Sequence, residues 1–308
     1  MAESVISVRG LVKIYGDLVA VDGIDFDVHG GEVFSMLGPN GAGKTTSVEI
    51  IECLKTKTSG EVRVLGHDID QKVREIKKRI GVLPQDFNAF DLLTVKENIE
   101  YFGGMFQEHL PADELISLVD LGSKRDEYFK NLSGGLKQRV GVAISMVNDP
   151  DIVFLDEPTT GLDPKARREV WEVIKGLKAK GKTIILTTHY MEEAEVLSDR
   201  VAIIDNGRFI ALGTPREIIR EHGSGNVILV QGGGAAAYAE LKQVSPRVDL
   251  KGNDVIVRAD NKQVLADVIM SLERNGTFYD DVQIRRSTLE DVFLSLTGRR
   301  LEENGEAK

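Results

Sequence analysis

Apolar and polar positions alternate with a period of two along residues 4–35, and this spacing predicts antiparallel β-strands joined by glycine-containing turns. The segment AVDGIDFDV (20–28) shows the alternation at Val21, Ile24, Phe26 and Val28. EVFSML (32–37) is a short, mainly apolar strand that runs directly into a glycine-rich loop. KTTSVEIIECL (44–54) then places apolar residues at helical spacing, so the sequence predicts a strand–loop–helix unit here.

The remainder of the first two thirds of the chain alternates between strands and helices. Further strands are predicted at EVRVLG (61–66), RIGVLP (79–84), IVFLD (152–156) and TIILTTH (183–189), with a helix over KARREVWEVIKGLKAKG (165–181). The two apolar runs of VAIIDNGRFIALG (201–213) flank Asn206-Gly207, which predicts a hairpin. This order predicts an α/β fold with a parallel sheet and helices on its faces.

Residues 86–150 interrupt that alternation and are predicted to be mainly helical. The segment TVKENIEYFGGMF (94–106) opens with Thr94 and Glu97 three positions apart, which predicts a capping box. The sequence leaves open which apolar residues of this region form the core of a small helical subdomain and which are free to receive a helix from another protein. The residues concerned are Phe87, Phe90, Leu92, Leu93, Phe102, Met105 and Phe106.

A second domain is predicted after the glycine-containing segment EHGSGN (221–226). The pattern predicts strands at 227–231, 247–250, 254–259 and 281–286 and helices at 235–244 and 262–275. This βαββαβ order predicts a small α+β, ferredoxin-like unit. A last helix, STLEDVFLSL (287–296), is predicted to be capped by Ser287 with Glu290. We therefore expect domains at 1–222 and 223–308.

Composition limits the class of protein. The net charge of −10 over 308 residues argues against a protein built mainly to hold nucleic acid. The single cysteine, Cys53, excludes an internal disulfide and a cysteine-based metal cage, and we expect an inert buried thiol there. The N-terminus lacks an apolar signal core, and no run of about twenty apolar residues occurs. These features predict a cytoplasmic protein without a membrane span of its own.

Two stretches have the chemistry of phosphate binding. GPNGAGKT (38–45) fits G-x-x-x-x-G-K-[ST] in the required strand–loop–helix context, whereas the alternative is a glycine-rich turn with a solvated lysine. NLSGGLKQRV (131–140) is a second helix start, with Ser133 as the expected N-cap and open N–H groups at Gly134 and Gly135. The sequence therefore contains two helix starts that are suited to bind phosphate, and the reason for a second one in the same chain is not evident from these motifs alone.

The strand IVFLD delivers Asp156 to its C-terminal end, where α/β sheets bind ligands, and Glu157 follows directly. Asp156 suits contact with Mg²⁺, and Glu157 can polarise a water for attack on a γ-phosphate. The alternative is a strand that ends in a solvated acid pair.

Four motifs, GPNGAGKTT, LSGGLKQR, FLDEPTTGLDP and LTTHYMEEAE, occur in this order, and together they resemble the nucleotide-binding subunit of ATP-binding cassette (ABC) transporters over about residues 4–220. The resemblance implies a P-loop ATPase fold with an antiparallel β subdomain and a helical subdomain, with ATP and Mg²⁺ as cofactors. It also implies that two cassettes meet head to tail, so that Ser133, Gly134 and Gly135 of one close over the ATP of the other.

The resemblance further assigns roles to individual residues. Lys44 and His189 contact the γ-phosphate, Glu157 activates water, and Gln85 belongs to the catalytic set. Thr45, Gln85 and Asp156 hold Mg²⁺. Tyr15 stacks on adenine, for which the alternative is a core tyrosine, and Asp163 couples the two sites of the dimer. The loop residues around the phosphates are Gly38, Pro39, Asn40, Gly41, Ala42, Gly43, Lys44, Thr45 and Thr46. Leu136 stands where the family usually has glutamine, and we expect a working site with somewhat altered affinity.

The C-terminal extension ending in LEDVFL resembles the multidrug exporter ATPases of the daunorubicin-resistance type. That resemblance implies a peripheral protein at the cytoplasmic face of the membrane, with a separate multi-pass permease, a second copy or a paralogous cassette as partners, and no nucleic acid. Two alternatives are an importer ATPase and a soluble ABC ATPase that acts on DNA or ribosomes. The acidic charge and the single cassette without heptads disfavour the second of these.

Overall fold

The computed structural model describes residues 4–223, 225–259 and 262–299. The described residues form two compact units, one up to Thr214 and one from Pro215. The first unit therefore contains both predicted phosphate-binding motifs. Among the described residues, no helix combines the length and the apolar composition that a membrane crossing requires.

The first unit contains ten strands, seven α-helices and two short 3-10 helices within its described residues. The strands are β1 (Ser4–Tyr15), β2 (Leu18–His29), β3 (Val33–Leu37), β4 (Ser59–Val64), β5 (His67–Asp68), β6 (Ile80–Leu83), β7 (Ile152–Asp156), β8 (Thr183–Thr188), β9 (Arg200–Asp205) and β10 (Arg208–Gly213). The helices are α1 (Lys44–Ile51), α2 (Val73–Lys77), α3 (Val95–Gly103), α4 (Ala112–Leu118), α5 (Gly134–Ser145), α6 (Pro164–Ala179) and α7 (Met191–Leu197).

Two sheets organise this unit. One is antiparallel, in the order β2-β1-β4-β5, and the other has six strands in the order β10-β9-β3-β8-β7-β6. In the six-stranded sheet, β9, β3, β8, β7 and β6 are parallel and β10 is antiparallel. β3, β7 and β8 are buried along their whole length, which explains their apolar runs. The predicted α/β fold with a parallel sheet is confirmed.

The hairpin signal and the capping-box signal in the first unit both have structural counterparts. Asn206 and Gly207 both have positive φ, 48° and 76°, as the two-residue hairpin between β9 and β10 requires. Thr94 and Glu97 form the predicted capping box of α3. A core lies between the two sheets, where the rings of Phe26 and Phe34 stack at 5.2 Å. A second core joins the helical residues to the other face of the six-stranded sheet.

The region 86–150 divides its apolar residues between core and surface. Phe87, Phe102 and Phe106 pack against the second core, whereas Phe90, Leu92 and Met105 are exposed. Tyr101 is also exposed and contacts the ring of Phe90 at 4.7 Å. Leu93 is partly buried, and the structure separates the other six residues that the sequence leaves mixed.

The second unit contains α8 (Pro215–His222), β11 (Asn226–Gln231), α9 (Gly234–Val244), β12 (Val248–Lys251), β13 (Asp254–Ala259), α10 (Lys262–Asn275), β14 (Asp281–Arg286) and α11 (Leu289–Thr297). Its antiparallel sheet has the order β12-β13-β11-β14, so the predicted βαββαβ unit is confirmed. α8 packs against α11 and belongs to this unit. The two units divide between Thr214 and Pro215, before α8, whereas the predicted boundary follows His222 at the end of α8. Residues 300–308 of the predicted domain lie outside the described residues.

Three local predictions need correction. α11 is capped by Thr288 with Asp291, one position after the predicted pair, because the Asp291 carboxylate also receives a hydrogen bond of 2.6 Å from Arg285. Ser133 is the N-cap residue of α5, but its side chain makes no capping hydrogen bond. The Cys53 thiol is partly rather than fully buried, because α1 has ended and the backbone turns there with a φ of 60°.

Candidate active site

The carboxyl ends of neighbouring strands carry the predicted site residues. β3 leads into the glycine-rich loop, β7 ends at Asp156, β8 ends before His189, and Gln85 follows β6. These strands are adjacent in the order β3-β8-β7-β6. Because the ends of parallel strands meet at one edge of a sheet, residues far apart in the chain converge there.

The glycine-rich loop is shaped by positions that only glycine can fill. A Cβ atom at Gly38 would lie 2.2 Å from the carbonyl oxygen of Ile204, and one at Gly43 would lie 2.4 Å from that of Ala20. Gly43 also has a φ of 104°, which L-residues rarely adopt. Gly43 is the N-cap of α1 and provides no side-chain cap, so the first N–H groups of the helix are suited to bind phosphate oxygens.

Lys44 is buried rather than solvated. Its Nζ donates to the carbonyl oxygens of Gly38 at 2.8 Å and Pro39 at 3.1 Å, and lies 3.3 Å from Glu157 Oε1. Burial lowers the pKa of Lys44, and the negative charge of Glu157 opposes that change. The alternative of a solvated lysine is therefore wrong.

Glu157 is the centre of the site's hydrogen bonds. Its Oε2 lies 3.0 Å from His189 Nδ1, and it accepts hydrogen bonds from Thr160 Oγ1 at 3.0 Å and Gln85 Nε2 at 3.5 Å. Burial raises the pKa of Glu157, but the His189 hydrogen bond and the Lys44 charge outweigh it and lower the pKa to about 2. Glu157 is therefore ionised at neutral pH, and the alternative of a solvated acid pair is wrong.

The backbone of Glu157 is also held in an unusual conformation. Its φ is 47°, in the left-handed region, and its N–H donates to the Thr187 carbonyl at 3.2 Å and to Thr187 Oγ1 at 3.0 Å. Residues in such conformations persist where surrounding contacts hold them, often at active sites.

Asp156 and Thr45 together suit a magnesium ion. Thr45 Oγ1 donates to Asp156 Oδ1 at 3.3 Å, and Thr187 Oγ1 donates to the same oxygen. Burial raises the pKa of Asp156, and these two hydroxyls oppose the rise. The described residues hold no cluster of three or more His, Cys, Asp or Glu that could bind a metal. One hydroxyl and one carboxylate nevertheless fit Mg²⁺, which commonly takes its remaining ligands from water and phosphate.

The second predicted phosphate site lies at the start of α5. Ser133 and Gly134 are exposed, whereas Gly135 is buried and a Cβ there would lie 2.7 Å from the Cβ of Ala166. Leu136 is partly buried and packs against the core that the helical region shares with the sheet. The side chain that replaces the expected glutamine therefore contributes to packing.

Two further predicted residues make different contacts. The Tyr15 ring is 40% exposed, and Lys13 Nζ lies 4.7 Å from its centroid, so the alternative of a core tyrosine is wrong. Asp163 is the N-cap of α6 and accepts hydrogen bonds from the N–H groups of Lys165 and Ala166.

The structure adds residues that the sequence analysis does not single out. Thr187 joins Asp156 to the backbone of Glu157, and Thr160 contacts the Glu157 carboxylate. A threonine in an apolar strand has no distinctive sequence signal, so Thr187 could be found only through the pairing of β7 with β8. Thr160, three residues after Glu157, could have been proposed from its proximity alone.

Comparison with known proteins gives matches along the chain. The sequence profile described as "ABC transporter" matches residues 21–160. The daunorubicin resistance ATP-binding protein DrrA3 of Streptomyces coeruleorubidus is 39% identical, and the alignment covers 98% of this chain and 99% of that protein. The Nod factor export ATP-binding protein I of Ralstonia nicotianae is 40% identical, with 96% of this chain and 95% of that protein covered.

Solved structures align with about seven tenths of the chain. CbiO1 from Clostridium perfringens, described as part of the ABC transporter complex cbiONQ, is 28% identical with a TM-score of 0.65, covering 72% of this chain and 92% of that one. The ATP-binding cassette MJ0796, in a dimeric post-hydrolysis state bound to ADP and Pi, is 28% identical with a TM-score of 0.61. That alignment covers 68% of this chain and 98% of the cassette.

Proposed function

Because this chain belongs to the ABC transporter family as an ATP-binding, ATP-hydrolysing subunit, we propose that it powers export through a separate membrane permease. Export rather than import is supported by one observation. Relatives named for drug resistance and for Nod factor export align with nearly the whole chain, the second unit included. The cassette motifs are common to exporters and importers, so the direction rests on these full-length relatives.

In this proposal, Glu157 and the two residues in contact with it, Lys44 and His189, act on the γ-phosphate of ATP. Lys44 and His189 stabilise charge on its oxygens, and Glu157 orients and activates the attacking water. Thr45, Asp156 and Gln85 would hold Mg²⁺, which supplies positive charge to the phosphate oxygens. The loop 38–46 surrounds the phosphates, and the exposed ring of Tyr15 stacks on adenine.

The second phosphate site acts in a partner cassette. Ser133 and Gly134 are exposed, and the Ser133 hydroxyl makes no cap hydrogen bond with its own helix, which supports a role toward a second copy or a paralogous cassette. A helix N-terminus carries partial positive charge, so it binds a triphosphate more strongly than a diphosphate. ATP therefore closes the head-to-tail dimer and hydrolysis releases it. Asp163, at the start of α6, belongs to the segment that couples the two sites.

The permease docks on the helical region 86–150. Phe90, Leu92, Tyr101 and Met105 expose large apolar side chains there, and exposed apolar groups on a soluble surface favour a protein partner. The chain is then a peripheral protein at the cytoplasmic face of the membrane. The second unit supports the dimer or regulates it.

The test uses a Glu157→Gln chain as bait, with ATP, in detergent-solubilised membranes of the native cell. We expect mass spectrometry to find a multi-pass membrane protein, and the same bait with the further change Leu92→Glu, on the proposed docking surface, should retain less of it. Inverted vesicles that contain that protein and the wild-type chain should accumulate an exported compound when ATP is added, with daunorubicin as the first probe. Recovery of ribosomal or DNA-bound proteins instead would contradict the proposal, and ATP-driven release from such vesicles would indicate an importer.

A further inference from the structure

A buried carboxylate lies beside the site, and the roles proposed above do not use it. Glu193 in α7 is fully buried. Its Oε1 accepts two hydrogen bonds, from Thr159 Oγ1 at 2.7 Å and from Trp171 Nε1 at 2.8 Å. Its Oε2 has no hydrogen-bond partner within the described part of the chain. An acidic group in such a place is costly, so its presence calls for a function.

The two donors come from segments that carry site residues. Thr159 follows Glu157 by two positions, and Trp171 lies on α6, the helix capped by Asp163. Glu193 itself follows His189 by four positions. Glu193 Oε1 therefore links the three segments that contain Glu157, Asp163 and His189.

A second contact holds the same two helices together. The Arg167 guanidinium of α6 lies 3.9 Å from the centre of the Tyr190 ring, at the start of α7. The Tyr190 ring in turn lies 4.2 Å from the ring of His189. His189 is thus placed by its neighbour Tyr190, and α7 is placed against α6 at two points.

The hydrogen bonds of Glu193 have a consequence for the site. Glu157 and His189 meet at 3.0 Å, and each stands at the start of a loop rather than within a strand. Loop residues hold a catalytic geometry only when surrounding contacts fix them. Thr187 and Thr160 hold Glu157 itself, and Glu193 adds a link from Thr159, two residues further along that loop, to the first turn of α7 behind His189.

We infer that Glu193 is a positioning residue, which holds Glu157 and His189 in their relative placement by tying Thr159 and Trp171 to α7. The inference rests on the roles proposed for Glu157 and His189. Glu193 acts through the loops and touches neither ATP nor water.

The test compares ATP hydrolysis by the full chain in four variants. In Glu193→Ala and Thr159→Val, kcat should fall about tenfold or more while the KM for ATP stays within about twofold, because a displaced base slows chemistry and leaves the phosphate loop intact. Glu193→Gln should retain most of kcat, because its amide oxygen still accepts both hydrogen bonds. Glu192→Ala, at the exposed neighbouring glutamate, is the matched control and should change neither constant.

Trp171 is the only tryptophan in the chain and reports the contact directly. Its emission should shift in Glu193→Ala and stay unchanged in Glu192→Ala. An unchanged kcat in both Glu193→Ala and Thr159→Val, or a rise in KM alone, would overturn the inference. Wild-type turnover in a parallel Glu157→Gln chain would instead contradict the proposed role of Glu157, so the two failures are distinguishable.

Discussion

Lys44 Nζ lies 3.3 Å from Glu157 Oε1, and only 4% of either side chain is exposed. The lysine that is proposed to bind phosphate therefore neutralises the acid that is proposed to activate water. Phosphate oxygens compete with Glu157 for Lys44, since both are anions. In the proposed ATP complex, contact of Lys44 with phosphate should raise the pKa of Glu157, because one of the charges that lower it would then also face phosphate, and the carboxylate should become a better base.

The first prediction concerns Glu157→Gln. Turnover should fall at least about 100-fold, because the general base is lost. ATP binding should persist, because Lys44 is unchanged and the neutral glutamine does not compete with phosphate for its charge. Phosphate release and equilibrium binding of a fluorescent ATP analogue measure the two effects, with Glu192→Gln as the control. Near-normal hydrolysis would remove Glu157 from the role of base.

The second prediction concerns pH and the buried Glu52 at the end of α1. Burial and the charges of Asp156 and Glu49 raise the pKa of Glu52 from 4.5 to about 8. The folded state thus disfavours the ionised form of Glu52. The resulting loss of folding stability is absent below about pH 4.5 and complete above about pH 8. Glu52→Gln should therefore raise the free energy of unfolding by about 5 kcal/mol at pH 9.

Denaturant unfolding of Glu52→Gln and the wild type at several pH values measures this difference. It should grow steadily as the pH rises from about 4.5 to 8. The exposed Glu61→Gln, in the neighbouring strand β4, should show no such trend. A difference that is independent of pH would show that Glu52 is not protonated in the folded state.

The third prediction tests whether Ser133, Gly134 and Gly135 act in a partner cassette. Gly134→Asp places a negative charge where the γ-phosphate would bind, but the exposed position at a helix start tolerates aspartate. Neither Gly134→Asp nor Lys44→Ala should hydrolyse ATP alone. Their equimolar mixture should recover up to about a quarter of wild-type activity, because half of the dimers then contain one intact composite site.

Two outcomes would contradict the action of Ser133, Gly134 and Gly135 in a partner cassette. A mixture as inactive as its components, in which light scattering nevertheless shows ATP-dependent dimers, would argue against action in trans. Wild-type turnover proportional to enzyme concentration down to fully monomeric conditions would argue the same.

Local signals in the sequence predicted local structure well. The capping box at Thr94 and the hairpin at Asn206-Gly207 depend on neighbouring residues alone, and both are present. The cap of α11 shows the limit, because Ser287 and Thr288 both begin a capping pattern. Arg285, which contacts Asp291, decides between them.

Long-range relationships could not be predicted from the sequence. Nothing in the pattern places β3 between β8 and β9, or brings Thr187 of β8 against Asp156 of β7. Glu193 and Trp171 meet because α6 and α7 pack against each other, and neither residue has a distinctive signal within its own helix. The recognised motifs supplied the site residues, whereas the contacts that hold them in place follow from packing.

The last prediction concerns permease docking on the exposed apolar residues of the helical region. Leu92 is 71% exposed, two positions from Phe90, whose ring contacts the exposed Tyr101. Leu92→Glu places a charge on this surface without removing a core contact, so the thermal stability should stay within a few degrees of wild type. The amount of the Leu92→Glu chain that co-sediments with membranes, or that binds the permease captured by the Glu157→Gln chain, should fall about tenfold or more. The reason is that a desolvated charge weakens an apolar interface. Leu54→Glu, at a residue 58% exposed outside the helical region, is the matched control and should keep binding. Equal loss in both variants would indicate a general effect of charge, and retention in both would place the permease on another surface.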